Sequence, residues 1–178
     1  PIEHIEISAE IDTRANPYDW NTVASKLTFM GGNAVIKASR EMLSKMKAVA
    51  AQALRTDPEN LLHANGEIFH RHNPNRRMSY KDVALGYMYP NGTGIGGPLI
   101  SSGSSIADGL TNLHPETGQG YPAAVWTFGA HAVEIEVDVE TGVITVLKVA
   151  SAFDIGQVIN EKLVYGQICG GVLQGLGS

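Results

Sequence analysis

The 178 residues predict an α+β fold, a mixed sheet and hairpins with one long amphipathic helix and a glycine-rich C-terminal helix. Three observations carry this prediction. Val35, Ala38, Met42, Met46, Val49 and Ala53 recur at intervals of three and four, the period of a helix with one apolar face. Two runs, residues 123–137 and 143–150, read as a pair of long strands around an Asp138-Val-Glu-Thr-Gly142 turn, with Val133, Ile135 and Val137 on one face and Glu134, Glu136 and Asp138 on the other. Asn160-Glu161 then opens a last helix, because asparagine accepts an orphan first-turn amide and the carboxylate sits beside the positive end of the dipole.

From the N-terminus, residues 4–11 place Ile5, Ile7 and Ile11 around Glu6 and Ser8, which predicts a strand. Pro17 keeps Asn16 extended, and the small hydroxyl-bearing residues from Thr22 to Thr28 read as a loop entering the long helix, where first-turn amides suit an anion. Within that helix Glu41 and Lys45 form a favourable i,i+4 pair. Asp57-Pro58 starts a short helix, and Asn65-Gly66 folds residues 61–69 into a hairpin. Ser79 and Asp82 have the spacing of a capping box. Residues 98–101 read as a strand and 108–122 as an irregular loop.

Several suggestive patterns carry no chemistry. His70 and His72 could share a strand face, but no third ligand lies at a usual spacing. Gly92-Thr-Gly94-Ile-Gly96-Gly97 satisfies G-x-G-x-x-G without the strand before and the helix after that phosphate binding requires. Gly103-Ser-Ser105-Ile-Ala107 lacks the closing glycine of a nucleophile elbow. Glu134, Glu136 and Asp138 on one strand face could suggest a glycosidase pair, but a solvated face is far commoner.

Composition narrows the class. With 43% hydrophobic and 17% charged residues the chain is long enough for one domain with a core. A net charge of −5 without a basic run leaves nucleic acid no electrostatic footprint. No stretch reaches the ~18 apolar residues of a membrane span and no secretory signal is visible, so a cytoplasmic protein without a membrane partner is expected. Cys169 alone excludes an internal disulfide and an iron–sulfur cluster held by this chain.

The C-terminal helix is costly by propensity. Gly166, Gly170, Gly171 and Gly175 fall within three turns, each about 1 kcal/mol worse than alanine. Bare α-carbons on a shared face let a sheet or a flat ligand approach the backbone, and Gln167 among them can donate and accept at once.

Asp154, Gly156, Ile159-Asn160 and then Gly166-Gln167-x-x-Gly170-Gly171-x-x-Gln174-Gly175 resemble a stretch of the molybdenum-binding subunit of the xanthine dehydrogenase and aldehyde oxidase family. Pro17-Tyr18-Asp19-Trp20-x-Thr22-x-Ala24-Ser25-Lys26-x-Thr28 is similar to the segment that wraps the pterin in that family, with lysine where arginine is common. The resemblance covers essentially the whole chain. It implies a molybdenum–molybdopterin cofactor contacted by Thr22, Ala24, Ser25, Lys26, Leu27, Thr28 and Gln167, with Gly170 and Gly171 allowing close approach. It implies hydroxylation of an aldehyde or an electron-poor N-heteroaromatic, a small-molecule substrate, with oxygen from water. Electrons would leave through [2Fe–2S] clusters to FAD on other domains or subunits.

Neither the family's upstream Met-Gly-x-Gly loop nor the downstream Gly-Glu motif carrying the base glutamate is present. With Pro1 first and Ser178 inside an expected helix, residues 1–178 are expected to be one domain, a piece of the molybdopterin-binding domain trimmed at both ends, with no catalytic residue and no metal ligand of its own. Asn160-Glu161 departs from the family's Asn-Pro. The competing expectation is a binding or assembly module that keeps the fold without the cofactor.

Overall fold

The computed structural model describes residues 2–8, 10–14, 16, 18 and 22–178. Pro17, Asp19, Trp20 and Asn21 of the expected loop lie outside the described residues. The chain forms two compact units, Pro1–Ala107 and Asp108–Ser178. Every strand pairing among the described residues is antiparallel, and helices and sheets together give an α+β architecture.

The first unit is organised by helix α1, Lys26–Leu54. Its last turn closes through Arg55 in the left-handed region at φ 50°, and the Thr56 amide donates to Ala51 O at 2.9 Å. Three strands follow: β1, Leu61–Ala64; β2, Glu67–His70; and β3, Asn73–Ser79. Asn65 and Gly66, at φ 49° and 81°, make the two-residue turn between β1 and β2, both values being those a primed hairpin turn demands. Helix α2, Tyr80–Ala84, opens with a reciprocal capping box: Ser79 Oγ accepts the Asp82 amide and Asp82 accepts the Ser79 amide.

The core of this unit is Met46, Val49, Ala50 and Ala51 from α1, packed on Leu61, Ile68, Met78 and Val83. Arg76 ties β3 to α1 by donating to Leu54 O. The apolar stripe of α1 enters the core only from Met42 onward, since Val35 is 65% exposed. Helical period places Val35 on the right face; it does not guarantee a neighbour there.

Three further expectations are corrected. Residues 5–8, 10 and 11 form no strand; a single 3₁₀ turn, Ile2–His4, precedes them, and among the described residues no strand pairs with their alternating pattern. His70 ends β2 while Arg71 and His72 form the turn to β3, so the two imidazoles do not share a strand face. Residues 98–101 are not a strand either. They are drawn along the helices instead: the Leu99 amide donates to Ala84 O at 2.8 Å and Lys45 Nζ to Ile100 O at 2.7 Å. Gly103 lies so close to α1 that a Cβ would stand 2.1 Å from Ala34 O. Short strands β4, Tyr87–Met88, and β5, Gly94–Ile95, pair just before this segment. No helix opens after Gly96, which removes the phosphate-loop geometry from the glycine run.

In the second unit, residues 108–127 are irregular and held by their own bonds, Thr111 and Tyr121 exchanging two. Strands β6, Phe128–Val137, and β7, Ile144–Asp154, then form a ribbon with a bulge between Glu134 and Ile135. The second strand runs to Asp154, past the expected Ala150, because its partner residues from Phe128 onward extend the ladder. Asp138 Oδ1 accepts the Glu140 and Thr141 amides at 2.9 and 3.3 Å, and Gly142 at φ 73° completes the turn. Asp154 Oδ1 accepts the Gly156 amide at 3.2 Å, which explains an aspartate two residues before a glycine. Helix α3, Glu161–Leu176, begins at Asn160, whose side chain accepts the Leu163 amide at 3.0 Å. It closes at Leu176, short of the expected Ser178, as the Gly177 amide turns back to Leu173 O and Gln174 O.

Candidate functional site

The entry to α1 is built by two consecutive left-handed residues, Ala24 at φ 51° and Ser25 at φ 54°. Neither is glycine, and such a conformation costs on the order of 1 kcal/mol or more at each. The surrounding chain holds it there, with the Lys26 amide donating to Val23 O at 3.2 Å. Ser25 occupies the cap position without accepting a bond through its side chain. The first turn of a 29-residue helix therefore presents its amides at Leu27 and Thr28 without a side-chain cap, at the positive end of the dipole. Thr22, Ala24, Ser25, Leu27 and Thr28 are exposed and Lys26 is half-buried.

The second part of the expected site is on α3. Gln167 and Gly171, one turn apart, line a recess of about 200 Å³ together with His131, Phe153, Ile168 and Val172. Gly170 is not among the lining residues. A Cβ added at Gly166, Gly170, Gly171 or Gly175 would meet nothing within 4 Å among the described residues. Tight packing on a sheet therefore does not account for these glycines within this chain. The Gln167 side chain has no hydrogen-bond partner among the described residues.

His131 and Phe153 escaped the sequence reading. Residues at positions 129, 131 and 133 share one face of β6 by the period of a strand, and Gly129 pairs with Phe153 across the ribbon. The Phe153 ring covers Gly129, where a Cβ would lie 2.4 Å from two ring carbons. A glycine in a strand facing an aromatic was the available signal. A larger open hollow of about 640 Å³ at the C-terminal end of α1, around Gln52, Arg55 and Pro58, contains none of the expected site residues.

Asp138 is held below the usual carboxylate range by the Thr141 hydroxyl and the Glu140 and Thr141 amides, a turn's own bonds. The Tyr165 hydroxyl is pushed up by its hydrogen bond to Cys169 on the next turn of α3. No group of three His, Cys, Asp or Glu residues among those described is placed to hold a metal ion. Among the same residues no helix is long and apolar enough to cross a membrane.

Residues 1–178 match the family model of a molybdopterin cofactor-binding domain. The chain belongs to this family. Among relatives of the molybdopterin-binding domain is the nicotine 6-hydroxylase large subunit of Paenarthrobacter nicotinovorans, 29% identical over 177 residues, 99% of this chain and 20% of that protein. The putative xanthine dehydrogenase molybdenum-binding subunit XdhA of Escherichia coli strain K12 is 29% identical over 178 residues, 99% of this chain and 22% of that protein. The aldehyde oxidoreductase of Megalodesulfovibrio gigas is 31% identical over 134 residues, 75% of this chain and 13% of that protein. The fold is similar to that of a Cu,Mo-CO dehydrogenase in its carbon monoxide reduced state, with a TM-score of 0.55 and 23% identity over 89% of this chain and 18% of that one. The chain spans about a fifth of the length of the first two relatives. Molybdopterin is thus the cofactor of the family, and the relatives are oxidoreductases by name.

Proposed function

We propose that this chain supplies molybdopterin contacts within a larger molybdenum hydroxylase that oxidises an aldehyde or an N-heteroaromatic substrate with oxygen from water. The observation that carries the proposal is the Gln167 amide, unpaired among the described residues, beside the bare α-carbon of Gly171 in a recess. When bound, the molybdenum–molybdopterin group supplies the two-electron redox chemistry of the hydroxylation. The chain's own residues bind and orient. Gln167 donates and accepts hydrogen bonds, while Gly170 and Gly171 leave room at the α3 backbone for a flat partner.

The left-handed pair Ala24–Ser25 supports an anion-holding role for residues 22–28. It aims an uncapped helix start outward, so that the Leu27 and Thr28 amides and the Thr22, Ser25 and Thr28 hydroxyls take the negatively charged part of the cofactor, with Lys26 beside them. Phe153, Ile168 and Val172 form the apolar side of the recess. The two compact units form parts of one domain in this reading, since a single family model spans both. The base glutamate lies outside this chain. The partners are the remaining molybdenum-domain segments, [2Fe–2S] and FAD domains or subunits, and the substrate, in the cytoplasm.

Gln167→Ala in the complete polypeptide is expected to lower molybdenum occupancy or turnover on the order of tenfold, the scale of losing one supporting polar contact. Metal analysis and steady-state rates read the outcome, and unchanged values in both would remove Gln167 from the site. An unsubstituted protein that purifies without molybdenum, however expressed, would favour an assembly module instead.

A further inference from the structure

The recess that Gln167 and Gly171 line is lined also by the strands, through His131 and Phe153. The imidazole is held twice. Its Nδ1 lies 2.8 Å from Ser151 Oγ, and its ring meets the Phe153 ring edge to face, centroids 5.2 Å apart and planes at 77°. Phe153 is seated in turn over Gly129, the residue opposite it in the ladder. Ser151 is likewise opposite His131, so one stretch of ribbon supplies the ring, its hydrogen-bond anchor and its aromatic neighbour.

Two restraints on an exposed histidine are more than a solvated side chain needs, since ordering it costs rotamer entropy. They leave Nε2 as the ring's second hydrogen-bonding atom, without a partner among the described residues. If the Ser151 hydroxyl donates to Nδ1, Nε2 carries the proton and donates; if Nδ1–H donates to Oγ, Nε2 accepts. Either way Gln167 from the helix and His131 from the strand both line the recess, beside Phe153, Ile168 and Val172. Its volume of about 200 Å³ takes roughly seven waters at ~30 Å³ each, room for part of a ring system rather than a single ion.

Resting on the cofactor reading above, we infer that His131 is a second cofactor-contacting residue, hydrogen-bonding through Nε2 the same molybdopterin that Gln167 contacts. The test uses the complete polypeptide loaded with cofactor and reads the molybdenum retained per chain during dialysis. H131A should lose molybdenum on the order of tenfold faster than the unsubstituted protein. H131F keeps the ring contact with Phe153 and removes both nitrogens, and it should lose molybdenum as fast as H131A. H131Q, which restores a polar arm, should recover most of the retention. Retention in H131F equal to the unsubstituted protein overturns the inference while leaving the cofactor reading standing, even if H131A does not fold. An unsubstituted protein that never carries molybdopterin overturns both.

Discussion

Asn160 starts a helix that its own sequence disfavours. Its side chain satisfies the Leu163 amide at 3.0 Å, and a cap of this kind is worth about 1 kcal/mol. Asn160→Ala should lower stability by about that amount in denaturant titrations and speed amide exchange at Lys162 and Leu163. Unchanged exchange would show that α3 is nucleated from elsewhere. Single-residue devices of this sort were legible beforehand wherever both partners are close in sequence: Asn65-Gly66, the Ser79–Asp82 box, the Asp138 turn and Asn160 itself. Ser25 was not. Its hydroxyl has the chemistry of a cap, but the left-handed backbone at residues 24 and 25 turns it away from that use.

Elements depend on what lies beside them, and there the sequence was a weaker guide. Residues 98–101 have the composition of a strand and lie along α1 and α2 instead, because Lys45 and Ala84 offer bonds to that segment. Gly103 marks the closest approach, and only the absence of a Cβ permits it. Gly103→Ala is expected to destabilise the protein by about 2 kcal/mol or more through overpacking against the α1 backbone. Chemical denaturation measures this, and a change below ~0.5 kcal/mol would mean that the segment moves aside at little cost. The ribbon of β6 and β7 shows the converse. Its Val133, Ile135 and Val137 alternate with Glu134 and Glu136 as a strand's residues do, yet they are 50%, 49% and 47% exposed, so a period-2 pattern identifies the strand without identifying a cover.

At the scale of the whole molecule, sensitivity to acid follows from carboxylates tied down in both units. Glu41 is held below its usual value chiefly by Lys45, 2.5 Å away, with the Ser102 amide adding, and Asp138 by its turn. A depressed carboxylate contributes stability that is present above the unfolded-chain value of about 4 and is lost as pH falls through the lower folded value. The double variant Glu41→Gln with Asp138→Asn should therefore show a shallower loss of stability below pH ~4 than the unsubstituted protein. Superimposable acid titrations of the two would refute it. The sequence by itself determined the α+β class, the capped helices, the hairpin turns and the family, because these rest on short-range spacing and on motifs that survive without coordinates. Only the tertiary structure decided that Val35 faces solvent, that residues 98–103 line α1, and that His131 and Phe153 join Gln167 and Gly171. Those neighbours come from distant stretches of chain, and no local pattern encodes which distant surface will arrive.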